Sequence, residues 1–338
     1  MWVGAIFLED RADSAYSGCV CALFADHIQV EGTPILNVIV SLPTNDIGYH
    51  SLQSAAAETA ARQLGIKLKL LYAGGDAIAQ SEQLLTSILS ARERPDAIIL
   101  EPAGTALPAV AKEAVKAGVG WVVLNRDAEY IPVLRRVAKA PIFEVSTDHE
   151  EVGRIQGRQF GALLPEGGLV LYIEGPASSD AAVHRRAGML STKPATVEIK
   201  TLHGNWTIAG AQHAVESWLR LPTSQKLPVK AIGCQNDSMA MGARNAFLQV
   251  PVGEREKWLQ LPFTGCDGLP EAGEAWVRKH VLAATVVIPA NAGTALEMLA
   301  QAMQSGLQPA ERTLMKPSLC PALEELRRWS YVPGAARA

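Results

Sequence analysis

Short apolar segments alternate along this chain with longer segments whose apolar residues recur three or four positions apart. From residue 35 onward the short segments are predicted strands, and the longer ones are predicted helices, two of which stop at Gly65 and Gly118. Glycine suits the left-handed position that follows many helices. The strands predicted in this part span residues 35–40, 67–72, 97–100, 121–124 and 142–146. This alternation is typical of βαβ units, and therefore of a parallel sheet.

The same alternation starts again after a transition near residues 147–149. A helix is predicted over residues 149–164, and a last regular helix over residues 291–304. The strands predicted between them span residues 169–173, 197–201, 227–232, 263–266 and 283–287. Two successive βα series of one architecture predict an α/β fold.

Polar residues end two consecutive strands of the second series. Gln235, Asn236 and Asp237 follow one predicted strand, with Asp237 or Ser238 placed to cap the next helix, and Asp267 follows the other strand. Open α/β sheets bind ligands at the carboxyl ends of their strands. A binding site is therefore predicted at this edge.

The composition is that of a globular protein. The 338 residues are 48% hydrophobic and 19% charged, enough for two domains and against extended disorder. A formal net charge of −3 offers no electrostatic footprint for nucleic acid. The apolar runs are too short for a membrane span, so no direct membrane insertion is expected. Residues 2–8 are apolar but lack a preceding basic residue, so no export signal is visible, and a cytoplasmic location is expected if this start is correct.

Neither the cysteines nor the motifs indicate an enzyme or a metal site. Cys19 and Cys21 lack the further ligands of a zinc site. Cys234 and Cys266 end consecutive predicted strands, and whether they pair is left open, although adjacent parallel strands seldom suit a disulfide. Glycine-rich nucleotide motifs, a serine nucleophile elbow and a zinc-protease helix motif are missing from the sequence. No enzymatic activity and no cofactor is expected.

Six short segments, taken together, resemble one protein family. In chain order they are PDAIILEP, VVLNRD, EGP, QNDSMAMGA, GCDG and AATV, at residues 95–102, 122–127, 174–176, 235–243, 265–268 and 283–286. They resemble the ribose-binding-like branch of periplasmic sugar-binding proteins, whose ligand-binding fold also occurs in the lactose-repressor family. The resemblance covers residues 35–314.

The resemblance implies a type I periplasmic binding protein fold, with two Rossmann-like lobes joined by a three-segment hinge and a sugar held between them. The chain is expected to cross between lobes near residues 147–149, 288–289 and 313–316. Residues 34–147 and 289–312 would then form the N-terminal lobe, residues 148–288 the C-terminal lobe, and residues 313–338 the last crossing and a tail. Residues 1–33 are expected to be an extension of unclear role outside both lobes.

The resemblance also implies sugar contacts in the N-terminal lobe. Asn45 or Asp46 matches a polar contact after the first strand, and Tyr49 matches an aromatic residue of the next helix. Arg126 matches an arginine that binds sugar hydroxyls, with an ion pair at the lobe surface as the alternative. Asn125 stands beside it where family members often have Asp, and is included as a ligand contact.

In the C-terminal lobe the resemblance implies four further contacts. Arg185 lies in a matching R-x-x-G segment, and Trp206 matches an aromatic residue that stacks on the sugar ring. Asn236 and Asp267 match two hydrogen-bonding residues at strand ends. The alternatives are an ion pair for Arg185, a core position for Trp206, and capping or turn formation for Asn236 and Asp267.

These observations favour a solute-binding component of an ABC importer, located in the periplasm and partnered by a permease. A sensory ligand-binding module and the effector domain of a transcriptional regulator without its DNA-binding part are the alternatives. Val183, Cys266 and Ile288 replace an arginine, an aromatic residue and a glutamine of the family. We therefore hypothesise a neutral, partly deoxygenated or substituted sugar, or a related polyol, as the ligand.

Overall fold

The computed structural model describes residues 35–45, 48–104 and 107–330. The expectation for residues 1–33 therefore lies outside the described residues. The strands are β1 Asn37–Leu42, β2 Lys67–Tyr72, β3 Ala97–Leu100, β4 Gly120–Leu124, β5 Ile142–Thr147, β6 Gly168–Glu174, β7 Val197–His203, β8 Val229–Cys234, β9 Phe263–Thr264, β10 Thr285–Val287, β11 Arg312–Met315 and β12 Ser318–Cys320. The helices are α1 Gly48–Leu64, α2 Ala77–Leu89, α3 Pro108–Lys116, α4 Ile131–Arg135, α5 His149–Leu163, α6 Asp180–Thr192, α7 Ile208–Leu219, α8 Asp237–Leu248, α9 Val252–Leu259, α10 Gly273–Arg278, α11 Asn291–Ser305 and α12 Leu323–Leu326.

The first lobe is built on a parallel sheet with the strand order β11-β5-β4-β3-β1-β2. All four residues of β3 are buried, because the sheet has helices on both faces. Ala97 and Ile99 point into one apolar cluster with residues of α1 and α11. Ile98 and Leu100 point into the other cluster, with residues of α2 and α3. Burial on both faces explains why the strands of this lobe are continuous apolar runs in the sequence.

The second lobe is built on a sheet with the order β7-β6-β8-β9, again parallel. Single bridges from Thr264 to Ala284 and from Asp267 to Val287 attach β10 alongside β9, and β12 pairs antiparallel with β10. One face packs on α7 and α8, the other on α5 and α6. The predicted α/β fold with two parallel-sheet lobes is confirmed.

The chain crosses between the sheets three times. The first two crossings follow β5 and β10, at residues 148 and 288–290. The prediction for the third was wrong in part: β11 pairs with β5, so the first lobe extends to Met315 and the crossing lies at residues 316–317. Residues 318–330 are also more than a tail, since β12 pairs in the second lobe and Leu326 of α12 is buried. Such short edge elements carry too few apolar residues to show a period.

Two helices were missed for a similar reason. The five residues of α4 include a proline, and only Ile131 and Leu134 are buried. Six of the eight residues of α9 are not buried, and its core contacts come from Trp258 and Leu259 at its end. Neither segment shows the repeated apolar spacing that identifies a longer amphipathic helix.

The two strand-end cysteines do not form a disulfide. Cys234 and Cys266 are buried free thiols, and Sγ of Cys266 lies 3.9 Å from the backbone oxygen of Cys234. Burial raises the pKa of both thiols well above its usual range. In the described part of the chain, no helix is long and apolar enough to cross a membrane.

Candidate ligand-binding cleft between the two lobes

The carboxyl ends of the strands in both lobes face a common cleft. The first turn of α1, in the first lobe, lies against the loop that follows β9, in the second lobe. A Cβ atom at Gly48 would lie 2.6 Å from Cδ1 of Leu269. The ring of Tyr49 packs in an apolar cluster with Cys266, Ile288 and residues of α5. The two lobes therefore touch here, with the polar strand ends beside the contact.

The first lobe contributes a histidine and a carboxylate. Nε2 of His50 lies 3.5 Å from Oε1 of Glu101, the residue that follows β3. Burial lowers the pKa of His50, but the charge and hydrogen bond of Glu101 outweigh it and raise the pKa above 6.5. Nδ1 of His50 is buried and has no hydrogen-bond partner among the described residues. Buried polar atoms normally have a hydrogen-bond partner, so this nitrogen is open to one from outside the described residues.

The second lobe contributes an arginine and a second carboxylate. NH1 of Arg185 lies 4.0 Å from Oδ1 of Asp267 and donates to the backbone oxygen of Gln235. Nε of Arg185 is buried without a partner among the described residues. Burial raises the pKa of Asp267 to about 6; Arg185 and His50 oppose this shift, and Glu101 adds to it. Residues of both lobes therefore act on one carboxylate.

Trp206 provides an aromatic face beside Arg185, whose Cζ lies 5.3 Å from the ring centroid. The backbone of Trp206 has a φ of 65°, and its ring lies over Gly175, where a Cβ would come within 2.2 Å of Cζ2. Gly175 must therefore lack a side chain for the ring to lie here. Trp206 is partly buried and also touches the core of its lobe, so the core interpretation is correct for part of the ring.

Asn236 caps helix α8, so the prediction of Asp237 or Ser238 as the cap was wrong, and the capping alternative given for Asn236 describes its side chain. Its Oδ1 accepts from the backbone N–H of Met239 at 2.8 Å, and its Nδ2 donates to the backbone oxygen of Trp206 at 3.0 Å. Each atom keeps capacity for one more hydrogen bond. A ligand contact from Asn236 stays a prediction.

Asn125 and Tyr49 connect two crossings of the hinge. Nδ2 of Asn125 donates to the Tyr49 hydroxyl at 3.1 Å, and its Oδ1 accepts from the backbone N–H of Thr147 at 3.2 Å and from Asn291 at 2.6 Å. The Tyr49 hydroxyl donates to the backbone oxygen of Pro289 at 3.3 Å. Asn125 and Tyr49 thus form their hydrogen bonds with other residues of the protein and hold the hinge segments in place. A ligand contact from either side chain stays a prediction.

The remaining predicted residues of the first lobe lie towards the rim. NH1 of Arg126 lies 3.6 Å from Oδ2 of Asp180 on α6, an ion pair that joins the two lobes, and a ligand contact from Arg126 stays a prediction. The side chain of Asn45 is exposed, and its backbone oxygen accepts from Ser51 at 3.3 Å. Asp46 lies outside the described residues.

Two groups of the cleft, Glu101 and His50, were not singled out from the sequence. Glu101 stands directly after a buried strand, a signal that could have identified it, whereas His50 gives no sequence signal. Asp237, buried inside the first turn of α8, accepts from the backbone N–H of Gly268 at 2.8 Å and from the hydroxyl of Thr285 at 2.7 Å, which holds the loop that carries Asp267. Among the described residues no group of three or more His, Cys, Asp or Glu could hold a metal ion.

Comparison with known proteins identifies the family. The model of the periplasmic binding protein domain matches residues 38–308. The D-allose-binding periplasmic protein of Escherichia coli is 27% identical over 74% of this chain and 78% of its own length. The D-ribose/D-allose-binding protein of Pseudomonas aeruginosa is 32% identical over 45% of this chain and 46% of its own length, so this chain spans about half of that relative. A solute-binding protein of an ABC transporter from Actinobacillus succinogenes, with bound D-allose, shares the fold at a TM-score of 0.73 and 21% identity, over 87% of this chain and 100% of its own. The resemblance seen in the sequence is confirmed: this chain belongs to the periplasmic binding protein domain family.

Proposed function

We propose that this protein binds a neutral monosaccharide or a related polyol in the cleft between its lobes. The observation that carries the proposal is the meeting of His50 and Glu101 with Arg185, Asp267 and Trp206, where buried polar atoms of His50 and Arg185 have no partner among the described residues. Sugar hydroxyls both donate and accept, so they match carboxylates and cationic donors at the same time. The Trp206 ring suits the apolar face of a sugar.

The relatives support this ligand class. The Escherichia coli protein is named for allose, and the Pseudomonas aeruginosa protein for ribose and allose. The hypothesis of a partly deoxygenated or substituted sugar now rests on two residues. Cys266 and Ile288 lie in the apolar cluster beside Tyr49, whereas the side chain of Val183 is exposed and does not line the buried cleft.

A panel of pentoses, hexoses, deoxysugars and polyols tests the binding function. A ligand present at 100 times its dissociation constant stabilises the folded protein by about 2.7 kcal/mol, which raises the melting temperature measurably. We expect Trp206→Ala to weaken the binding of an active sugar by at least about tenfold and Trp206→Phe, which keeps an aromatic platform, to weaken it less. The proposal is contradicted if no compound of the panel stabilises the protein. It is also contradicted if the wild-type protein, Trp206→Ala and Trp206→Phe bind an active sugar equally well.

We further propose that the protein works in the periplasm and delivers its ligand to an ABC permease. The relative from Escherichia coli is periplasmic, and the solved structure is part of an ABC transporter. Fractionation of the native source and sequencing of the mature N-terminus test the location. Recovery from the cytoplasm with an unprocessed N-terminus would contradict this part of the proposal and leave the binding function standing.

A further inference from the structure

Four ionisable side chains form a quartet in the cleft, with one cation and one anion from each lobe. His50 and Glu101 lie 3.5 Å apart in the first lobe, and Arg185 and Asp267 lie 4.0 Å apart in the second. When all four are ionised, their charges sum to zero. A fifth carboxyl, that of Asp237, binds the loop that carries Asp267, and burial and the charge of Asp267 raise its pKa well above the ordinary value, which favours its uncharged form. Glu101 at the end of β3 would leave an excess negative charge if His50 were absent.

The two pairs face each other because their flanking residues are in contact. Gly48 and Tyr49 precede His50, and they lie against Leu269 and Cys266, which flank Asp267. In keeping with this, His50 and Glu101 both act electrostatically on Asp267, and Asp267 acts in turn on His50.

Two polar atoms of the quartet still lack partners. Nδ1 of His50 and Nε of Arg185 have none among the described residues, although only 7% and 5% of these residues is exposed. A hydroxyl group can pair with such an atom and a neighbouring carboxylate at once, without bringing charge into a balanced site. An ammonium or carboxylate group would be buried there with no opposite charge left to neutralise it, which is strongly unfavourable.

We propose that His50 is a specificity-determining residue, which balances the charge of Glu101 so that the cleft accepts uncharged polyhydroxylated ligands and rejects those that carry an amino or carboxylate group. The inference rests on the proposed sugar-binding function. It concerns the charge of the ligand, and is independent of which hydroxyl stereochemistry the cleft prefers.

Matched sugars of different charge test this role. The probes are D-glucose, D-glucosamine and D-glucuronate, with the corresponding galactose series, titrated by calorimetry near pH 7 into the wild-type protein and three variants. His50→Gln removes the ionisable imidazole and keeps a hydrogen-bonding amide, whereas Asp267→Asn removes the carboxylate and keeps its shape. His213→Gln, on the exposed side of α7, is the control.

We expect the wild-type protein to prefer the neutral sugar of a series over both charged forms. His50→Gln should shift the ratio of amino-sugar to neutral-sugar affinity by about tenfold towards the amino sugar, since one charge at contact distance in a partly buried site has at least that effect. Asp267→Asn should shift the ratio of uronate to neutral-sugar affinity towards the uronate, because it removes a repelling carboxylate, and His213→Gln should change neither ratio. Equal loss of affinity for all three forms in His50→Gln would show a merely structural role and overturn the inference.

An imidazole titration by NMR separates failure of the inference from failure of the proposed function. If no probe binds any protein, sugar binding is contradicted for these series, and the histidine signals still decide the charge balance. The pKa of His50 should stand above 6.5 in the free protein and fall in Glu101→Gln, because the carboxylate that raises it is gone. If His50 has an ordinary pKa that does not change in Glu101→Gln, the charge pairing of the quartet is overturned, independently of the sugar-binding results.

Discussion

Asp267 combines a strained backbone with a buried charge. Its φ is 104°, a region that side chains rarely adopt, and 8% of the residue is exposed. Burial raises the pKa of its carboxyl to about 6, in spite of Arg185 and His50. Strain and a perturbed pKa at one residue in a cleft are typical of a functional position.

Asp267→Asn should therefore stabilise the protein in a pH-dependent way. Because the pKa is raised from 3.8 in the folded state, the folded protein holds a proton that the unfolded chain releases between about pH 4 and 6. As the pH rises through this window, the free energy of unfolding of the wild-type protein falls by up to about 3 kcal/mol. Asp267→Asn has no carboxyl to titrate and avoids this loss. Urea denaturation near pH 4.5 and pH 7 measures the difference, with the exposed Glu58→Gln as control. If the difference in free energy of unfolding between Asp267→Asn and the wild-type protein is the same at both pH values, this account is contradicted.

At the scale of elements, the start of α8 holds the two loops of the second lobe that carry the proposed ligand contacts Trp206 and Asp267. Asn236 binds the backbone of Trp206, and Asp237 binds the backbone of Gly268 next to Asp267. Gly265 and Gly273 lie against Asp237, and a Cβ at these positions would come within 2.1 and 1.9 Å of its carboxylate oxygens. One helix terminus thus sets the positions of the aromatic platform and the strand-end carboxylate.

Two substitutions at Asn236 separate capping from loop positioning. Asn236→Ala should lower the free energy of unfolding by about 1–2 kcal/mol, because the N–H of Met239 loses its cap. Asn236→Asp keeps the cap and removes the donor to the Trp206 backbone, so its stability should change less. Both variants should weaken sugar binding, by about 2–4 kcal/mol for Asn236→Ala, where a buried hydroxyl is left unpaired. Calorimetry and urea denaturation measure the two effects, and unchanged binding in both would remove Asn236 from the site.

At the scale of the whole molecule, three short segments join the two lobes. Asn125, Tyr49 and Asn291 link two of those segments by hydrogen bonds, while Arg126 and Asp180 join the lobes at the rim. Domains joined in this way close on ligands by bending at a few hinge residues.

Gly48→Phe should hold the lobes apart. The added ring would meet Leu269 across the cleft, whereas Gly253→Phe, a control where a Cβ meets no atom within 4 Å, should leave closure unchanged. Small-angle scattering with an active sugar should show a smaller radius of gyration for the wild-type protein and the control. For Gly48→Phe we expect weaker binding and a radius that stays large. Full closure of Gly48→Phe with normal affinity would show that this contact does not belong to the closing surface.

The sequence by itself determined the longer helices, the buried strands and the α/β class of this protein. Buried parallel strands such as β3 are apolar on both faces, and long helices such as α5 repeat their apolar positions, so both are visible as local patterns. The strand-end positions of Asn236 and Asp267 followed from the same patterns. The edge strands β11 and β12 carry almost no buried residues, and their place was therefore not predictable.

Only the tertiary structure decided which polar residues meet. His50 lies on the first turn of a helix and becomes important through Glu101, 51 positions later in the chain, and through Asp267 in the other lobe. In the same way Asn125 and Tyr49 proved to be partners of the hinge, and Arg126 the partner of Asp180. Hydrophobic periodicity is a local property of the chain, whereas charge balance and hydrogen-bond pairing depend on distances between residues that only folding brings together.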